Sequence, residues 1–387
     1  MTEINQNYAQ IEPVAQDKLD DLRERLQRTK FPDAETCGTG SGLDWSQGPP
    51  LAYVADLVRY WAQSYDWRRL ERELDAHGQA RRTVDGLDIH YLHVRSARAD
   101  AQPLILTHGW PSSVVEPLQV IDALANPASS ADPAFHVIAP SLPGFGYSGK
   151  PATTGWPVHR IADLWARLMT QLGYQKFLAA GGDWGGRVTE LLGSRHPGRV
   201  GGLHTFTPYA PEPADGDRDL SPAEAQWVAE TRAFWRTGGG YSLQQSTRPQ
   251  TLAYGLADSP VAQLAWILDK FYAWTDCAGH PENAVSRDQI LDTVTLYCIS
   301  AAGGSSARIY WENFPPERET PVEVPSAVTV FAKDIEKLPR RWVEARYRDL
   351  RYWNVVDRGG HFPMLELPAL YTEELRKAFT RIRPQQE

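Results

Sequence analysis

The chain has only three cysteines, Cys37, Cys277 and Cys298, an odd number at wide spacing. That excludes a disulfide framework. With no C-x-x-C and no Cys/His cluster it also excludes a cysteine-built zinc site, and a reducing, cytoplasmic setting is expected. Long apolar runs are absent as well. Nowhere do about 18 apolar residues follow one another, so no membrane span is expected. The opening Met-Thr-Glu-Ile-Asn-Gln-Asn lacks the cationic start and apolar run of a signal peptide, so neither export nor a membrane anchor is expected. Positive charge is in deficit: 40 Lys and Arg face 48 Asp and Glu, for a net charge of −8. No basic block exceeds two or three residues, so nucleic acid is set aside as a partner, since phosphate contacts need a basic face. Internal repeats are also missing.

What is present describes an ordinary globular protein with unusually many aromatic rings. Hydrophobic residues make up 42%, charged residues 23%, and there are 14 Trp. A length of 387 residues exceeds one minimal core, so a main domain with a large insertion or extension is expected. Over residues 1–85 the pattern is helical, as at Lys18 to Arg28 and Leu51 to Gly78, where Leu51, Val54, Leu57, Val58 and Trp61 recur at helical spacing. From Leu87 the texture becomes short β-branched runs alternating with helical stretches. Strands are expected at Asp88 to Val94, Leu104 to Leu106, Phe135 to Ala139, Lys176 to Ala180, Val200 to Phe206, Ala327 to Phe331 and Tyr352 to Val356. Continuous apolar strands separated by helices imply a mostly parallel sheet covered on both faces. The alternation stops over residues 208–322, where helices are expected around Ala223 to Trp235, Val261 to Thr275 and Arg287 to Ser300. This reads as a helical lid inserted into a core of residues 86–207 and 323–387, over the sheet edge where ligands bind in open α/β folds.

The most informative stretch is Gly181-Gly182-Asp183-Trp184-Gly185-Gly186, directly after a strand and directly before a helix. Small neighbours let such a turn present one side chain at the sheet edge, as in the nucleophile elbow of α/β-hydrolases. Here that side chain is Asp, which elsewhere often only caps a helix. An earlier strand ends in His108-Gly109-Trp110-Pro111, the place where this fold supplies an oxyanion-hole amide. The Trp110 N–H is that candidate, paired with the N–H of Trp184. His108 and Pro111 also suit a shape-fixing turn, with a cis Trp110–Pro111 bond as one way to build it. After the last strand comes Gly359-Gly360-His361-Phe362-Pro363, which puts His361 where the general base belongs. The orienting acid is read as Asp334, at the end of the strand Ala327 to Phe331, with Glu336 and Asp357 as rivals.

An Asp nucleophile restricts the chemistry. A carboxylate displaces a leaving group at saturated carbon and forms an alkyl ester that water must then cleave, which points to an epoxide or an alkyl halide. The segments around Ser148 and Ser305 break the G-x-S-x-G pattern, so a serine esterase is discounted. Epoxide opening leaves an alkoxide, for which the lid should supply phenolic donors, but among 16 Tyr composition singles out none.

These residues resemble the microsomal-type epoxide hydrolases over nearly the whole chain. The resemblance rests on Leu22 to Asp33 with Trp45 and the Tyr60-Trp61…Trp67-Arg68 segment, on His108 to Pro111, on Gly182 to Gly185 and on Gly359 to Phe362. It implies Asp183 as nucleophile, Asp334 as acid, His361 as base, and two lid tyrosines on the epoxide oxygen, Tyr241 and Tyr310. It further implies a helical N-terminal extension and no metal or organic cofactor. Trp184 and Trp311 near the site would suit an apolar or aryl-substituted epoxide. Relatives detoxify, process lipids or hormones, or tailor natural products such as enediyne antibiotics. The expected partners are a small epoxide and water, and a homodimer is compatible with the sequence without being indicated by it. The alternatives are a haloalkane or haloacid dehalogenase using the same Asp183, and a hydrolase-fold binding protein without catalysis.

Overall fold

The computed structural model describes residues 9–37, 43–216, 218–315 and 320–382. Three helices come first: α1 (Gln16–Gln27), α2 (Leu51–Gln63) and α3 (Trp67–Ala76). The span expected as one helix from Leu51 to Gly78 is broken at Ser64 to Asp66. There the Asp66 side chain accepts the Arg68 N–H and starts α3 afresh.

The helical reading of residues 1–85 also misses a strand. Ala80–Val84 is β1, an antiparallel hairpin partner of β2 (Leu87–Val94). Its charged Arg81 and Arg82 suit a strand at the sheet edge and hide the apolar alternation that would have announced it. The core continues as β3 (Gln102–Thr107), α4 (Val115–Ala125), β4 (Phe135–Pro140), α5 (Val158–Gln171), β5 (Phe177–Gly181), α6 (Asp183–Arg195) and β6 (Val200–Thr205). After the lid it resumes with β7 (Ser326–Phe331), α13 (Arg340–Arg346), β8 (Leu350–Val356), α14 (Pro363–Glu366) and α15 (Pro368–Ile382). The lid helices between are α7 (Pro222–Thr237), α8 (Gly240–Thr247), α9 (Pro249–Asp258), α10 (Pro260–Trp274), α11 (Arg287–Ile299) and α12 (Ala302–Glu312).

The eight strands form one sheet in the order β1-β2-β4-β3-β5-β6-β7-β8. β2 runs antiparallel to β1 and β4, and every later pairing is parallel. β3 and β5 sit centrally and are mostly apolar where they are buried, because helices cover both faces. All the parallel strands therefore end at one edge, beneath the lid.

The N-terminal helices hold that lid. Three phenols donate to acids at or near α11: Tyr53 to Glu282 (2.8 Å), Tyr60 to Asp288 (2.8 Å) and Tyr65 to Asp292 (2.6 Å). Arg69 also pairs with the buried Asp292 at 2.5 Å, and Trp45 stacks on Tyr272 of α10 at 4.0 Å. Among the described residues no helix is long and apolar enough to cross a membrane.

Candidate active site

Asp183 occupies the turn between β5 and α6 with φ +51°, a left-handed conformation that a non-glycine residue rarely adopts. Its own N–H donates to Thr207 Oγ1 at 2.5 Å, which helps hold the turn. The cap position of α6 belongs to Gly182, with no side-chain cap bond. The Asp183 carboxylate is turned outward instead, and its Oδ1 accepts the Trp110 N–H at 2.8 Å. Gly109 permits this approach, since a Cβ there would fall inside van der Waals contact of the Asp183 side chain. The Trp184 N–H lies in the first turn of α6, among amides that have no carbonyl partner within their helix.

The loop bearing Trp110 is fixed by His108. Leu142 N–H donates to His108 Nε2 at 3.2 Å, which leaves Nδ1–H to donate to the Gly109 carbonyl at 2.9 Å. Burial pushes this imidazole down to about 4, so it stays neutral and keeps both roles. The Trp110–Pro111 bond is cis.

His361 lies just past β8 and α10's end, buried, with Nδ1 2.8 Å from Asp334 Oδ1 and Nε2 3.6 Å from Asp183 Oδ2. Burial disfavours its charge, but Asp334 and Asp183 outweigh burial and hold the imidazole well above its ordinary range. Its loop is pinned on both sides. The His361 N–H donates to the Trp274 carbonyl at 2.7 Å, and Glu366 accepts from the amides of Gly360 (3.0 Å), Phe362 (3.0 Å) and Asp276 (2.8 Å).

Across from the Asp183 carboxylate stand the lid tyrosines, Tyr241 on α8 and Tyr310 on α12, both buried. Their rings are 5.8 Å apart; Tyr241 stacks on Trp110 at 5.2 Å, and Tyr310 meets Trp184 edge-on at 4.8 Å. Burial, reinforced by the Asp183 charge, holds both phenols well above 10, so they remain proton donors. The Tyr310 hydroxyl is buried without a hydrogen-bond partner among the described residues.

These groups open onto a cavity of about 290 Å³, lined by Asp183, Trp184, Tyr241, Tyr310 and His361 and, further out, by Arg187, Glu336 and Trp235. Trp184 therefore lies where expected. Trp311 does not: it is 43% exposed on the outer face of α12 and is not among the cavity's lining residues. Helical spacing explains the difference, because Trp311 is turned about 100° from its neighbour Tyr310.

Of the rival acids, Asp357 shows no contact with His361, whereas Glu336 lines the cavity and is pushed up to about 7 by burial and by Asp334. Reasoning from sequence missed Glu116, Trp274 and Glu366. A charged residue inside the apolar run Val114-Val115-Glu116-Pro117-Leu118 was the available signal for the first, and the other two carry none. Among the described residues no three His, Cys, Asp or Glu side chains converge as metal ligands.

The sheet order and the turn that carries Asp183 place the chain among the α/β-hydrolases, and residues 102–246 match the family described as alpha/beta hydrolase fold. Residues 9–117 match the family described as epoxide hydrolase N terminus. The chain is 47% identical to a provisionally named epoxide hydrolase of Stigmatella aurantiaca, over 96% of this chain and 84% of that protein. It is 29% identical to epoxide hydrolase 1 of Sus scrofa, over 93% and 86%. Among solved structures, the juvenile hormone epoxide hydrolase of Bombyx mori superposes with a TM-score of 0.90 at 26% identity, covering 97% of this chain and 94% of that one. The Aspergillus niger epoxide hydrolase gives 0.88 at 28% identity, covering 97% and 96%. This chain belongs to the epoxide hydrolase family.

Proposed function

We propose that the protein opens an epoxide to a vicinal diol through an ester on Asp183. The observation that carries this reading is the placement of the Asp183 carboxylate between two phenols on the lid side and His361 with Asp334 on the core side. In the first step an Asp183 oxygen attacks an epoxide carbon, the C–O bond of the ring breaks, and Tyr241 or Tyr310 gives its proton to the departing oxygen. Two donors with raised pKa suit this task, because an alkoxide is itself a strong base.

Esterification removes the Asp183 charge. One of the two carboxylates that hold the His361 proton is then lost, so the imidazolium gives its proton to the tyrosinate left by ring opening, and the neutral imidazole becomes free to act as a base. It takes a proton from water as the water oxygen attacks the Asp183 carbonyl carbon. The Trp110 N–H, and that of Trp184, stabilise the oxyanion. Collapse breaks the ester bond, the leaving alkoxide takes the proton from His361, and the diol departs. The proton left on the Asp183 carboxyl returns to His361, which restores the starting ionic state. The water oxygen stays on Asp183, and epoxide plus water equals diol.

An apolar or aryl-substituted epoxide suits a cavity walled by Trp184, Tyr241 and Tyr310. Detoxification and natural-product tailoring both need this reaction. A broad or a narrow response to a panel of epoxides separates them.

The test is a single turnover of styrene oxide in 18O-labelled water, with wild type and Asp183→Asn. Unlabelled oxygen in the first diol, label appearing on Asp183, and an inactive variant support the reading. Label entering the first diol directly refutes it. Halide release from haloalkanes without any diol would replace it with a dehalogenase.

A further inference from the structure

Asp183 and His361 line a second, much smaller cavity on the core side. It gives the centre of a water-sized sphere about 10 Å³ of room, and among the described residues the two cavities share only Asp183 and His361. The pair therefore forms a partition. On one side is the large pocket with the phenols; on the other is a small space lined by Glu116, Ser112, Thr107 and Gly109.

Glu116 is the unusual member of this wall. It sits in the first turn of α4, 3% exposed, and its Oε1 has no hydrogen-bond partner among the described residues. A buried carboxyl oxygen without a partner costs free energy and needs a reason. Helix capping does not supply one, since α4 has no side-chain cap bond. The proposed ring opening, which happens in the other cavity, does not use it either. The Thr107 hydroxyl and His361 Nε2 in the same wall also lack partners. Three unpartnered polar atoms around a space of this size match the needs of one water molecule, which makes about three hydrogen bonds when buried.

We propose that this cavity is the seat of the hydrolytic water, and that Glu116 together with His361 holds it against the Asp183 carbonyl carbon on the face opposite the substrate pocket. The inference rests on the covalent reading above. Water donates one hydrogen to Glu116 Oε1 and the other to the neutral His361 Nε2, which leaves a lone pair aimed at the carbonyl carbon. The second hydrogen passes to His361 as the new C–O bond forms, and the first stays with the oxygen on Asp183. Glu116 accepts throughout, as a carboxylate, a charge-assisted hydrogen bond that an amide oxygen supplies only weakly, and exchanges no proton. Substrate and water thus approach the same carboxylate from separate compartments, and a bulky ester on the pocket side leaves the water in place.

The test separates the two half-reactions in wild type and Glu116→Gln. Rapid mixing with styrene oxide followed by acid quench and intact-protein mass reads the ester, and diol formation reads its hydrolysis. Expected is ester formation within about threefold of wild type, with hydrolysis about 10- to 100-fold slower and ester accumulating, the scale of a misplaced reactant. Hydrolysis within twofold of wild type, or an equal fall in both steps, overturns the proposal. If Glu116→Gln does not fold, Glu116→Asp carries the test, because it draws the carboxylate back by one methylene. The same split is expected there, and unchanged hydrolysis overturns the proposal. Wild type that forms diol without any ester refutes the covalent reading itself, a result distinct from normal ester formation with unaltered hydrolysis.

Discussion

Trp274 holds His361 twice: its carbonyl accepts the His361 N–H at 2.7 Å, and its indole meets the imidazole edge-on with ring centres 5.0 Å apart. The last residue of lid helix α10 thus fixes the position of the proposed base, which belongs to the core.

Gly360 is the first place to test this grip. A Cβ there would press on the Trp274 carbonyl and the Thr275 backbone. Gly360→Ala should push the His361 loop off α10 and lower kcat by about 10²-fold, the usual consequence of displacing a reacting group by about 1 Å. Steady-state kinetics alongside a thermal melt decide the matter. An active variant with normal kcat would mean that the contact does not set the base.

Replacing the phenols should separate activity from stability. Tyr241→Phe and Tyr310→Phe are each expected to slow ester formation by about 10²-fold, the typical loss of one preorganised donor. Tyr310→Phe should leave stability unchanged or raise it, because it deletes a buried hydroxyl without a partner. Chemical denaturation checks the second point. A clear loss of stability would show that the hydroxyl has a partner in solution.

Asp183→Asn imitates the loss of charge that the proposed ester would bring. His361 is held well above its ordinary range by Asp334 and Asp183 against the opposing effect of burial. Removing one of these carboxylates must lower the pH at which the imidazole loses its proton. Titration of the His361 ring by NMR in both proteins reads this directly. An unchanged or raised midpoint contradicts the proposed switching of the base.

Glu116 yields a prediction about stability. Burial raises its carboxyl from 4.5 to about 7, so between those values the unfolded chain is ionised and the folded one is not. Stability from this group is fully present below about pH 4.5, falls as pH rises, and is lost above about 7. Glutamine escapes that loss. Glu116→Gln should match wild type near pH 4.5 and exceed it at pH 8 by up to about 3 kcal/mol. Urea midpoints at both pH values test this, and an equal difference at the two would sink it.

Much of the site was legible because its chemistry is local in sequence. Asp183 sits in a run of glycines between a strand and a helix, and His361 follows another glycine pair after the last strand; the structure brings both to one sheet edge. The strands were readable as apolar runs, apart from Ala80–Val84, where paired arginines mask the pattern. Tyr241 and Tyr310 came only through resemblance, since nothing in a helix sequence says which ring will face a cavity assembled from five helices and the loops between them. The buried place of Glu116 and the grip of Trp274 on His361 arise only when α4 and α10 meet the sheet edge. Sequence spacing does not encode such contacts.

The tyrosine pairs between the N-terminal helices and α11 bear on how substrate gets in. A roof splinted by Tyr53, Tyr60 and Tyr65 to its own leader is a fixed ceiling, not a door. Entry is then expected on the side where Trp235 and Phe314 line the pocket and are partly exposed. Trimming the N-terminal helices would loosen the ceiling that carries Tyr241 and Tyr310, although none of their described residues lines the pocket.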